Sequence, residues 1–135
     1  MCYNFEFLKK EEKYNSFTYA CIEAEKSLVV SYASTAILCR RALELAVKWV
    51  FGSDEELEAP YQDNLATLIH DYRFKGIIDS KLFPMIRYIQ KLGNKAVHSS
   101  TNVSREQAVL SLRNLYEFVS WIDYCYSDEF HEVDF

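Results

Sequence analysis

Between Tyr32 and Phe51, apolar side chains run round nearly the whole circumference of a helix: Ala36, Leu38, Cys39, Ala42, Leu43, Leu45, Ala46, Val47, Trp49 and Val50. At about 100° per residue, the exceptions Arg40, Arg41, Glu44 and Lys48 fall in one wedge. A helix that is apolar on most sides has to be covered on most sides. The segment therefore predicts a central helix, ended at Gly52, with other helices packed round it and one polar seam left over.

The rest of the chain supplies the cover. Residues 4–12 read as a lead-in whose Phe5, Phe7 and Leu8 can pack. Phe17, Ala20, Cys21, Ala24 and Leu28 recur at steps of three and four, which predicts a first helix over 15–30. The stretch 52–62 carries four carboxylates and a Pro and reads as an exposed acidic loop. A short helix over 63–72 follows, with Asp63 as N-cap and Leu65, Leu68, Ile69 and Tyr72 facing inward. A further helix is expected over 81–97, with Pro84 in its first turn, where a missing N–H costs least. Its stripe is Leu82, Met85, Ile86, Ile89, Leu92, Gly93, Ala96 and Val97. Gly93 in mid-helix costs about 1 kcal/mol relative to Ala, which points to close approach of another backbone. After a polar turn at 99–103, Ser104 and Gln107 form a capping box that opens a last helix to Tyr126. Ala108, Leu112, Leu115, Val119 and Ile122 face its core. Phe118, Trp121 and Cys125 make a second apolar strip, able to cover a neighbouring helix, a dimer partner or the rest of a longer protein.

The expectation is an all-α, single-domain bundle of about five helices, with its core over residues 4–126 and a loose acidic tail at 127–135. A length of 135 residues suits one domain. Only three Gly and two Pro, with half the residues hydrophobic, argue against disorder. The net charge of -5 excludes a global basic footprint for nucleic acid, so any such contact has to be local. Cys2, Cys21, Cys39 and Cys125 include no C-x-x-C pair and no His at finger spacing. They read as reduced, buried thiols of a cytoplasmic protein, with no metal site. The opening residues Met1–Glu6 lack the basic and long apolar regions expected of a signal peptide, and no apolar run reaches membrane-spanning length. Glycine-rich phosphate loops, G-x-S-x-G and helicase signatures are also missing, so neither a cofactor nor ATP chemistry is expected.

Two clusters could carry chemistry. Arg87, Lys91, Asn94 and His98 share one face of the 81–97 helix, at steps of four, three and four, with Lys95 beside them. A His can act as acid or base near neutral pH and an Asn can orient it, while the cations would hold phosphate. The plainer reading is a solvated basic face ending in a His. In the second cluster, Arg40 or Arg41 could pair with Glu44 across one turn, either as a structural ion pair or as part of a site. His70 reads as a surface residue and Asp54–Glu56 as a solvated run.

The segment from Phe17 to Glu25, the run Cys39-Arg40-Arg41-Ala42-Leu43-Glu44 and the run Leu92-Gly93-Asn94-Lys95-Ala96-Val97-His98 carry a resemblance. Together they resemble a helical domain of unknown function at the N-terminus of type I restriction endonuclease R subunits, and the likeness extends from about Asn4 to Tyr126. That domain is similar to the HEPN superfamily of helical bundles, many of which dimerise and act as metal-independent ribonucleases. The resemblance implies a docking, regulatory or auxiliary nucleic-acid-contact domain of a longer protein that takes part in DNA restriction and defence. Its partners would be other domains and subunits of the restriction complex, DNA or RNA, and a second copy in a homodimer. It also implies binding candidates: Arg40, Arg41, Glu44, Arg87, Lys91, Asn94, Lys95 and His98. The HEPN signature places four to six residues between an Arg and a His, often with a polar residue just after the Arg. Asn94 and His98 match it, but Gly93 stands in place of the Arg, and Gln90 stands where relatives of the R-subunit domain carry another Arg. A ribonuclease using His98 and Asn94, or a stand-alone partner of a toxin or nucleotidyltransferase, are the alternative expectations.

Overall fold

A computed structural model describes residues 3–98, 102–128 and 135. Among the described residues six α-helices are formed: α1 (Asn15–Lys26), α2 (Tyr32–Ser53), α3 (Leu65–His70), α4 (Tyr72–Ile77), α5 (Leu82–Ala96) and α6 (Arg105–Tyr126). Short 3-10 segments at Asn4–Lys10, Glu12–Tyr14 and Ser27–Val29 complete the described secondary structure, and no strand occurs among the described residues. The chain is an all-helical bundle, as expected.

Helix α2 is the centre, with α1, α5 and α6 packed round it. Cys39, Ala42, Leu43, Ala46, Val47 and Val50 are fully buried along it. Ser31 starts the helix by accepting the Ser34 N–H at 3.2 Å, and the helix runs one residue past Gly52. The lead-in packs as predicted. Phe5 and Leu8 are fully buried, and Phe7 meets Tyr116 edge-on at 5.6 Å. Asp123, 1% exposed on α6, ties that segment down. It accepts from Lys10 Nζ at 2.8 Å and from the Tyr14 hydroxyl at 3.1 Å. The capping box at Ser104 and Gln107 forms, with both reciprocal bonds in place.

Several expectations are corrected. The helix placed at 63–72 is two helices. Asn64, not Asp63, caps α3, accepting the Thr67 N–H at 3.0 Å. Asp71 then accepts the N–H groups of Arg73 and Phe74 and starts α4, so the first helix cannot continue through it. Tyr72 consequently points outward, 73% exposed. In the acidic loop Leu57 is buried, so that segment does pack. Val97 lies beyond the end of α5 and is exposed. Cys125 is also exposed, whereas Cys21 and Cys39 are buried free thiols. Of the strip on α6, two members pack within the chain: Phe118 is fully buried against Phe74 and stacks on Trp121, which meets Tyr126 edge-on. The expected thiol at Cys2, most of the turn at 99–103 and most of the tail at 127–135 lie outside the described residues. No helix among the described residues is long and apolar enough to cross a membrane.

Candidate functional site

The polar seams of α2 and α5 meet. Gly93 makes this possible: a Cβ built there would lie 2.6 Å from Arg40 Cβ and 3.1 Å from the Ala36 carbonyl oxygen. With only hydrogen at that position, the Arg40 side chain lies across α5 and its Nη1 donates to Asn94 Oδ1. Neither Arg40 nor Arg41 forms an ion pair with Glu44; the ion pairs of the described residues use Lys9, Lys10, Lys13, Arg73 and Lys81. Arg40 reaches across to the neighbouring helix rather than along its own.

Beside this contact lies a cavity of about 250 Å³. Arg40 and Glu44 line it from α2, Gln90 and Asn94 from α5, and Asn64, Leu65 and Ala66 from the start of α3. Gln90 is only 9% exposed, and its side chain makes no hydrogen bond among the described residues.

The remaining candidates lie elsewhere. Arg41, Lys91, Lys95 and His98 are exposed, and none lines the cavity. His98 sits two residues past the end of α5, its backbone N–H bonded to the Lys95 carbonyl at 3.0 Å. Arg87 joins a separate cluster, with Nη1 2.6 Å from His70 Nε2. A guanidinium has donors only, so Nε2 accepts and the imidazole is neutral. Desolvation, then Arg87 and Lys75, hold the His70 pKa below its usual 6.5. The Arg87 Nε is buried without a partner. His70 also meets Phe83 edge-on at 5.5 Å, and Lys75 lies over that ring at 4.6 Å.

Both buried thiols are electrostatically quiet. Burial pushes Cys39 up to about 12, and burial pushes Cys21 up as well. A thiol held protonated in this way is a poor nucleophile. The sequence pattern did not reveal the parts played by Gln90, Asn64, Leu65 and Ala66. Gln90 is marked there only as the position where relatives of the resembled domain carry an Arg, which does not place it on a cavity wall.

The DUF4145 family, a domain of unknown function, matches residues 22–126. The chain is a member of the DUF4145 family. The matched span holds Arg40, Glu44, Gln90, Gly93, Asn94 and His98, so the helix crossing and the cavity lie wholly within the DUF4145 part of the chain. The lead-in before Ile22 lies outside it. No curated protein and no solved structure matches the chain.

Proposed function

We propose that this DUF4145 chain is a docking or regulatory module with an auxiliary nucleic-acid contact, serving a type I restriction enzyme R subunit in DNA restriction and defence. Its partners are then the other domains and subunits of that complex, in a cytoplasmic setting. The resemblance through the Arg40–Glu44 and Leu92–His98 runs supports the assignment to R subunits. The observation that carries the non-catalytic role is the division of the α5 seam. Arg40 holds Asn94, while His98 stands exposed beyond the helix end with nothing among the described residues to orient its ring. A general base needs a fixed position within hydrogen-bond reach of the proton it removes. Without that, the exposed cations Lys91 and Lys95 provide a contact for phosphate rather than a cleavage centre. On a chain of net charge -5, such a contact acts only over about one Debye length, roughly 8 Å, and weakens steeply with salt.

Fluorescence anisotropy with labelled RNA and DNA in EDTA tests the contact. Salt-sensitive binding without strand cleavage, weakened by Lys91→Glu with Lys95→Glu, is expected. RNA cleavage that disappears in His98→Ala would overturn the non-catalytic role. Deleting the domain from the parent R subunit should weaken assembly or restriction; unchanged restriction would overturn the assignment to that complex.

A further inference from the structure

We infer that the cavity between α2, α3 and α5 binds a small zwitterion, specifically a free α-amino acid with a short side chain. The inference stands independently of any nucleic-acid contact, because Lys91, Lys95 and His98 take no part in the cavity. Three observations carry it.

The first is charge. Arg40 and Glu44 stand one turn apart on the same wall, about 6 Å along the axis, yet do not pair with each other. Arg40 gives one donor to Asn94 and keeps others of the five that a guanidinium carries. A lone anion there would face Glu44, and a lone cation would face Arg40. A ligand with a carboxylate and an ammonium on one carbon answers both, through charge-assisted hydrogen bonds to each side chain.

The second is Gln90, a residue only 9% exposed, whose amide faces the cavity and makes no hydrogen bond among the described residues. It offers a donor to the second carboxylate oxygen, or an acceptor to a hydroxyl such as that of serine. Asn64 is less available, since its Oδ1 already takes the N–H and hydroxyl of Thr67. Leu65 and Ala66 give a small aliphatic wall for the side-chain carbon.

The third is size. About 250 Å³ lies below the roughly 300–1,000 Å³ of cavities that hold drug-sized ligands. At about 30 Å³ per water it equals about eight waters, which suits a molecule with few heavy atoms.

The test is binding to the full 135-residue chain, by calorimetry and by the NMR signals of the Gln90 and Asn94 side-chain amides. The probes are glycine, L-alanine and L-serine, set against acetate, methylammonium, inorganic phosphate and guanosine. Saturable binding of an amino acid is expected, with both amide signals shifting, and with N-acetylation or esterification of the ligand abolishing it. Glu44→Gln and Arg40→Gln should each weaken binding about tenfold or more, as loss of a hydrogen bond to a charged group does. Arg40 packs on Gly93, so if its variant fails to fold, Glu44→Gln and Gln90→Leu decide the matter. An equal response to acetate or phosphate would make this a simple anion site and overturn the proposal. A response to guanosine alone would give the cavity to a nucleobase and likewise overturn it. No saturation by any amino acid at millimolar concentration, with native folding intact, would mean a cavity for water only.

Discussion

At Gly93, two opposing terms decide what a single methyl group does. Ala gains about 1 kcal/mol of helix propensity over Gly in a helix interior. The same methyl would sit 2.6 Å from Arg40 Cβ and 3.1 Å from the Ala36 carbonyl, and that backbone atom cannot move aside without shifting α2. Overpacking of this kind costs about 1–3 kcal/mol, and the rigid neighbour favours the upper part of the range. Gly93→Ala is therefore expected to lower stability by about 1–2 kcal/mol net, read as a lower urea midpoint. A midpoint that rises would show that α2 and α5 do not cross this closely. Sequence alone exposed the need for a close approach at Gly93, because a Gly inside an apolar stripe has no other local use. It did not expose the partner. Arg40 and Asn94 lie 54 positions apart, and helical periodicity carries no information over that separation. His70 shows the same limit: it reads as an isolated surface residue, yet desolvation, then Arg87 and Lys75, hold its pKa below 6.5. The unfolded chain protonates His70 near that value, while the folded chain resists. The folded state thus binds fewer protons below pH 6.5, and stability falls as pH drops through that region until the folded-state pKa is passed. Arg87→Met should move the His70 titration upward in NMR; an unchanged midpoint would contradict the geometry of the pair.

Helix ends divide into those that the sequence marks once and those that it marks twice. Ser104 and Gln107 precede a long apolar run with no rival cap nearby, and the box forms with bonds of 3.1 and 2.9 Å. Replacing Ser104 by Ala removes the acceptor for the Gln107 N–H and should cost about 1 kcal/mol. Faster amide exchange confined to the first turn of α6, with a small drop in the urea midpoint, is the expected signature. An effect spread evenly over the bundle would mean the cap is not what starts the helix. Between Asp63 and Asp71 three residues compete to cap, and the pattern alone cannot rank them. Leu65, Leu68 and Ile69 keep their helical spacing and are buried, so the element was legible where its apolar face was strong. Its end was not, because Asp71 satisfies two N–H groups ahead of it and so favours a new start over continuation. Leu57 was misread for a related reason: four neighbouring carboxylates and a Pro mark a loop, but a loop can still send one side chain inward.

The family match begins at residue 22, yet the packed unit begins earlier. Phe5, Leu8, Tyr14 and Phe17 are all fully buried, and all precede the match. Burying a side chain of this size is worth about 1.5–3 kcal/mol, so these positions together contribute on the order of 6–12 kcal/mol. That is comparable with the whole stability of a typical domain, about 5–15 kcal/mol. The lead-in also supplies Lys10 and Tyr14 to Asp123, which is 1% exposed and would lose both partners if the segment were removed. Trp49 donates its indole N–H to the Lys13 carbonyl at 2.6 Å, so the end of α2 would lose a partner as well. A chain starting at Ile22 would expose one side of α2 and α6 and leave a carboxylate buried without a counter-charge. It is expected to lack a cooperative urea transition and to bind a hydrophobic dye, while the full chain unfolds in one step. Asp123→Ala separates the two contributions. Lys10 is partly exposed, which discounts the ion pair, so the variant should lose about 2–3 kcal/mol and still fold. If the truncated chain unfolds cooperatively at the midpoint of the full one, the lead-in is an accessory strap. If it does not, the foldable unit runs from the first 3-10 segment to the end of α6, and the cavity beside Arg40 depends on a core that the family match covers only in part.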